Sequence, residues 1–296
     1  MSDQAQDLRE IMQRVSQNKD KQVRIITVAS GKGGVGKTNI STNLAIGYAR
    51  MGKKVIVMDA DLGLANVNVV LGVIPKYNLY HVIRNQKTMS EIVLDTNYGI
   101  QIIAGASGFS KIVNLEEGER KNFVSELLSL SYADIIIIDT SAGVSGNVLS
   151  FIEAADDVII VTTPEPTAIT DAYGLIKIMS TELDKKNMNL KLIINRAQSS
   201  TEAKKVQQRI ISIANQFLNL KLEYLGYVYD DPIVSQAVHK QTPFMALAPN
   251  GRVAECIMHI VSRLENTTYK TPTSGISRLL KFFGTQQKHH AEELEN

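Results

Sequence analysis

A single cysteine, Cys256, stands among the 296 residues of this chain. One thiol cannot close an internal disulfide, so no disulfide framework holds the fold, and the composition suits a reducing cytoplasm. Nor can one thiol supply a thiolate cluster within the chain. Charge of one sign is scarce as well. Lys and Arg number 32 and Asp and Glu 30, a formal net charge of +2, so no overall basic field argues for nucleic acid. No apolar run approaches the ~20 residues that a bilayer-spanning helix needs. The start, Met1-Ser2-Asp3-Gln4, is polar and acidic and predicts no secretory leader. No internal repeat is present. What remains is an ordinary globular composition, 44% hydrophobic and 21% charged, long enough for one large α/β domain with short tails.

The stretch Ser30-Gly31-Lys32-Gly33-Gly34-Val35-Gly36-Lys37-Thr38 dominates the reading. It contains Gly31-x4-Gly36-Lys37-Thr38, the phosphate-binding loop pattern. Its context fits. Arg24 to Ala29 before it reads as a buried strand, and Asn39 to Met51 after it as a helix with Ile40, Leu44 and Tyr48 at helical spacing. Glycines let backbone N–H groups turn toward an anion, and a helix N-terminus adds its positive dipole end. Lys37 supplies a point charge for β- and γ-phosphates, and Thr38 a hydroxyl for magnesium. The plainer alternative is a glycine-rich turn that binds nothing.

Strands and helices then alternate. Lys54 to Met58, Gly99 to Ile103, Ala133 to Ile138, Asp157 to Thr162, Lys191 to Ile194 and Glu223 to Val228 read as strands. Continuous apolar runs separated by helices predict a doubly wound, mostly parallel sheet with helices on both faces. Ligands of such sheets bind beyond the carboxyl ends of the strands. Asp59, Asp61, Asp139 and Asn195 all fall at those ends. Asp139 follows four isoleucines and can hold magnesium directly or through water, or cap the next helix. Gly143, shortly after it, permits a backbone approach to a γ-phosphate. Of the two aspartates after the second strand, one suits the metal shell. The other can orient the attacking water, since phosphoryl transfer needs positioning and charge neutralisation above all. Asp61 before Gly63 is also a turn-forming position.

Both tails differ from this core. Ala5, Leu8, Met12 and Val15 form an apolar stripe after a capping Asp3, followed by a polar linker from Gln17 to Gln22. So short a helix is marginal alone; it either docks on something or is a frayed terminus. Asn266 to Gly275 is a Thr-, Pro-, Ser- and Gly-rich linker. After it Ile276, Leu279, Leu280 and Phe283 share one helical face flanked by Phe282, with Arg278 and Lys281 toward the other side. This suits an interfacial helix on anionic lipid; the alternative is a last helix packed on the domain. The expected organisation is 1–22 as helix and linker, 23–266 as the phosphate-loop domain, and 267–296 as linker and membrane helix.

The loop with its early lysine, Lys32-Gly33-Gly34-Val35-Gly36-Lys37-Thr38, resembles the deviant phosphate-binding loop of the MinD/ParA ATPases. Further stretches resemble one branch, the flagellar number regulators called FlhG, FleN or YlxH. These are Asp59 to Val67, Thr163 to Tyr173 and Ala237 to Phe244, within a likeness that spans roughly 22–266. The resemblance implies an ATPase with ATP and Mg2+ as ligands. Its nucleotide-binding set is Gly31, Lys32, Gly33, Gly34, Val35, Gly36, Lys37, Thr38 and Asn39, with Asn195, Arg196 and Asp231 at the base. Tyr229 departs from the proline usual there, which leaves the base stacking open. Thr38, Asp59 and Asp139 are implied around the metal. Asp61 is the implied water-orienting residue, and Lys32 is implied in catalysis, reaching phosphate across an ATP-state homodimer. As a plain loop cation Lys32 would do neither. Asp3-Gln4-Ala5-Gln6-Asp7-Leu8-Arg9 is similar to the family's activator motif, with Gln4, Leu8 and Arg9 directed at FlhF, a GTPase of signal-recognition type. Flagellar switch (C-ring) components and an anionic membrane are the other implied partners, at the inner face of the cell membrane, without nucleic acid. Three other readings compete. A ParA-type DNA-partitioning ATPase predicts a basic surface and steep salt dependence. An iron protein of the nitrogenase type needs two cysteines per subunit. A nucleotide-locked flagellar scaffold would bind without turnover.

Overall fold

The computed structural model describes residues 23–61, 66–105, 125–183 and 188–267. In chain order these form β1 (Arg24–Ser30), α1 (Lys37–Arg50), β2 (Val55–Ala60), β3 (Leu94–Asp95), β4 (Gln101–Ile103), β5 (Ile135–Ala142), α2 (Gly146–Glu153), β6 (Asp157–Thr162), α3 (Pro166–Glu182), β7 (Leu190–Ala197), α4 (Ser200–Ile213), β8 (Leu222–Tyr229), α5 (Pro232–His239) and α6 (Arg252–Leu264). Short helical turns lie between β2 and β3 and around 129–132 and 244–247.

The eight strands form one sheet in the order β3-β4-β2-β5-β1-β6-β7-β8. All pairings are parallel except β3 with β4. The β-branched runs explain this. Ile137 of β5 and Ile159 and Ile160 of β6 are wholly buried, as strands covered on both faces require. On one face α1, α5 and α6 pack over Ile26, Val28, Val57 and Ile137. On the other α2, α3 and α4 cover Ala29, Val158, Ile160 and Leu192, and the turns at 79–92 cover Ile56 and Met58. Helix α1 is buried nearly all round, because α6 covers the side that the sheet does not; an added Cβ on Gly47 would lie 3.0 Å from Val261.

Chain order reverses at β1, which sits between β5 and β6, and the crevice beyond such a reversal is where parallel sheets take ligands. Registers align the polar ends. Asp139 faces Val28 on one side and Asp59 on the other.

The sheet departs from the sequence-based expectation at its ends. β2 runs on through Asp59, β5 through Asp139 to Ala142, and β7 through Asn195 and Arg196. A strand continues while its backbone finds partners on both sides, whatever its side chains are, so apolar runs underestimate strand length. The two-residue β3 escaped detection because it is too short to show a period. The expected tail helices, with Gln4, Leu8, Arg9, Ile276, Leu279, Leu280, Phe282 and Phe283, lie outside the described residues.

Candidate active site

β1 delivers the chain to Gly31, and α1 starts at Lys37 with Gly36 in a left-handed conformation at φ 90°. Gly36 could not carry a side chain, since a Cβ would sit 2.3 Å from Asn195 Nδ2. Gly31 is more constrained. A Cβ there would lie 2.1 Å from the Asp171 carbonyl oxygen of α3, so this glycine lets the loop rest against that helix. No side chain caps α1, and its first turn holds no acid, which leaves its N–H groups to an anion. Lys37 is buried. Asn195 Nδ2 donates to the Val35 carbonyl at 2.8 Å, tying β7 to the loop.

Asp139 is wholly buried at the floor. Thr38 Oγ1 donates to Asp139 Oδ2 at 2.7 Å and Ser41 Oγ to Oδ1 at 2.8 Å. Burial pushes the Asp139 carboxyl above its ordinary value; the Lys37 charge and the two hydroxyls oppose that shift. Ser41 was absent from the sequence reading. Its signal was there, three residues after Thr38 and so on the same helical face.

Asp59 is also wholly buried. It accepts from the backbone N–H of Asp61 at 3.0 Å, of Asn66 at 2.8 Å and of Val67 at 3.0 Å. Its carboxylate thus gathers both ends of the loop that follows β2. Burial, aided by the neighbouring Asp139 charge, pushes its pKa up to about 6 against those N–H donors. Asn66 Nδ2 lies 3.4 Å from Asp61 Oδ2. Residues 62–65 of this stretch fall outside the described residues.

Lys32 turns toward its own chain. Its Nζ lies 3.0 Å from Glu165 Oε2 and 2.8 Å from Thr167 Oγ1. Close to Glu165, Arg196 has φ 56°, a left-handed conformation that costs a non-glycine residue about 1 kcal/mol or more. Arg196 Nε is 3.8 Å from Asp230 Oδ1, which belongs with Gln198 to the same loop cluster. A cleft of about 310 Å³ lies here, lined by Thr163, Pro164, Glu165, Arg196, Gln198, Glu202 and Asp230. Asp231 caps α5, accepting from Ile233 N–H at 2.9 Å. The open question at Tyr229 has a geometric answer. The Arg252 guanidinium covers one face of its ring at 3.1 Å, and Tyr227 meets it edge-on at 4.9 Å. Its hydroxyl bonds that of Tyr227 at 2.8 Å.

The site accommodates a magnesium nucleotide. Thr38 and Asp139 offer hard oxygen donors. Among the described residues no group of three or more His, Cys, Asp or Glu could hold a metal unaided. Magnesium tolerates that, since it keeps waters and is bound through one or two protein oxygens plus substrate phosphates. Asn39 Oδ1 and Thr163 Oγ1 are buried beside the loop and the cleft without a hydrogen-bond partner, polar atoms that a bound nucleotide can satisfy.

A phosphate-binding loop at a sheet reversal, a buried aspartate on its hydroxyls and an early lysine define a P-loop ATPase of MinD/ParA class. A family model described as an AAA domain matches residues 23–193. The solved structure of the septum site-determining protein MinD of Pyrococcus horikoshii, complexed with Mg-ADP, superposes with TM-score 0.67 at 24% identity, over 82% of this chain and 96% of that one. The antiactivator FleN of Pseudomonas aeruginosa is 35% identical over 82% of this chain and 87% of its own length. The flagellum site-determining protein YlxH of Helicobacter pylori is 37% identical over 88% and 91%. This chain belongs to the FleN/YlxH (FlhG) family of MinD-like ATPases.

Proposed function

We propose that this ATPase is a membrane-associating switch that sets flagellum number or placement. It binds ATP, dimerises around it, hydrolyses it and separates. The observation that carries the reading is the Thr38–Asp139–Ser41 cluster directly behind Lys37, in a chain that resembles flagellar regulators over most of its length. Lys37 and the N–H groups at the start of α1 bind the phosphates. Thr38 and Asp139, with Asp59 beside them, would hold a magnesium ion, which would supply charge neutralisation to the transferring phosphoryl group. Asp59 positions the loop bearing Asp61, and Asp61 orients the water for in-line attack. Asn39, Asn195, Arg196 and Asp231 serve the nucleotide, the last three from its base side; of these Arg196 lines the 310 Å³ cleft. Tyr229 carries Arg252 on one face of its ring, so that face is not offered to the base. Lys32 serves the partner subunit's phosphates.

Beyond the domain, Gln4, Leu8 and Arg9 stimulate an FlhF-like GTPase of signal-recognition type, and 276–283 docks on anionic lipid at the inner face of the membrane. Components of the flagellar switch are further partners. Among the described residues no helix is long and apolar enough to cross a membrane. A DNA-partitioning role is the second reading, disfavoured by the near-neutral charge. The deciding experiment measures ATP turnover with and without anionic liposomes, alongside molecular mass in ADP and in ATP. Turnover that liposomes stimulate and a doubled mass in ATP are expected. A chain that stays monomeric in ATP, or one that turns over faster on duplex DNA than on liposomes, overturns the reading.

A further inference from the structure

We propose that Glu165 and Thr167 form a latch that holds Lys32 in its own subunit and must open before the lysine can serve a second copy of the chain. The inference deepens the proposed function and rests on its reading that Lys32 acts across the dimer.

Local structure builds the latch. Pro166 opens α3 as its first residue, and Glu165 stands before it at φ −59° and ψ 131° with no side-chain capping bond. Its carboxylate therefore reaches outward to Lys32 Nζ at 3.0 Å, while Thr167, one residue into the helix, offers its hydroxyl at 2.8 Å. The other half is equally fixed. Ser30 Oγ donates to the Lys32 carbonyl at 2.9 Å, and Gly31 presses the loop onto α3. The backbone of Lys32 is thus pinned, and only its side chain must rotate for the latch to open.

The pair is poised to exchange. Lys32 is 36% exposed and Glu165 55% exposed at the side chain, so water screens the bond and makes it weak. The hydrogen bond from Lys32, then its charge, hold the Glu165 carboxyl below its ordinary value, and the Arg196 guanidinium adds to that. When Lys32 leaves, Arg196 still faces Glu165, so the carboxylate is not stranded. A γ-phosphate arriving from a second subunit brings more negative charge than Glu165 and takes the lysine. ADP lacks that group and leaves the latch shut. Glu165 and Thr167 are positioning residues in this account, acting through Lys32.

The test uses the full-length protein and reads the dimer dissociation constant in saturating ATP by light scattering across a concentration series. An exposed ion pair shifts an equilibrium by up to about fivefold, and a dimer opens two of them. Glu165→Gln is expected to tighten the ATP dimer about three- to twentyfold, and Thr167→Val in the same direction by about two- to threefold. Both variants should stay monomeric in ADP. In a Lys32→Ala background Glu165→Gln should change nothing, which a purely structural role at the start of α3 would not predict. If Lys32→Ala alone dimerises like the native chain, the reading of Lys32 across the dimer is lost, and the latch with it. If Lys32→Ala loses the dimer while Glu165→Gln leaves it unchanged or weakens it, the latch alone is overturned. It is overturned too if the tightening by Glu165→Gln persists without Lys32.

Discussion

Asp59 and Asp139 stand side by side on neighbouring strands, both buried and both resisting ionisation. The consequence is a pH dependence. The Asp59 pKa rises to about 6 in the fold, above the ~3.9 of an unfolded aspartate. Between those values the folded state binds more protons, so stability falls as pH rises through the window and is lowest above it. For Asp59 alone the nucleotide-free protein should be about 1 kcal/mol less stable at pH 7 than at pH 5. Denaturant titrations at the two values check this. The difference should shrink in Asp59→Asn, and also in Mg-ATP, where a cation favours the charged forms. Asp61 makes a different prediction. Asp61→Ala should bind ATP, hydrolyse it far more slowly and accumulate as a dimer, read by phosphate release and light scattering. Native turnover in this variant would remove Asp61 from the mechanism.

Among the elements, the contact that matters most is between the loop after β1 and α3. Gly31 allows it, with the Asp171 carbonyl where a Cβ would stand. Gly31→Ala must therefore push α3 away or twist the loop. A loss of about 2–3 kcal/mol is expected, seen as a fall of roughly 5–10 °C in melting temperature. Because the displaced loop is the one that binds the phosphates, nucleotide affinity should fall with it. An alanine variant with native melting and native affinity would mean that the two elements are not pressed together. Gly31 was recognisable in the chain only as a motif glycine. Its particular reason, a helix 140 residues further on, was not.

For the molecule as a whole, the tails are expected to connect the ATPase cycle to the cell. Five apolar side chains in 276–283 gain at most roughly 1.5–3 kcal/mol each on full burial. Ordering costs about 1–2 kcal/mol per residue, so one copy binds weakly. Two copies on a dimer bind much more tightly, because the second insertion is intramolecular. Membrane binding should therefore follow ATP state. Deleting 276–296 should abolish sedimentation with anionic liposomes and spare nucleotide binding. Equal binding of the full-length chain in ADP and ATP would break the coupling. At the other end, a peptide of residues 2–16 should stimulate a signal-recognition-type GTPase, and Gln4→Ala should not, by analogy with activating elements supplied in trans. A variant peptide as active as the native one would remove Gln4 from that role.

The chain alone determined what depends on local pattern. A glycine-rich loop between a buried strand and a helix has few physical uses, and apolar runs separated by helices leave few architectures. Hence the parallel sheet, the phosphate loop and the aspartates at the strand ends were all legible. Residues far apart in the chain became partners only through the fold. Ser41 reaches Asp139 across 98 positions, and Glu165 takes Lys32 from 133 positions away. Tyr229 left the base stacking open in the chain, and only the fold places Arg252 on one face of its ring. Periodicity reports which face of an element is buried. It carries no information about which polar groups meet at the rim, because those meetings are set by strand order, register and close helix approach, which only the assembled sheet decides.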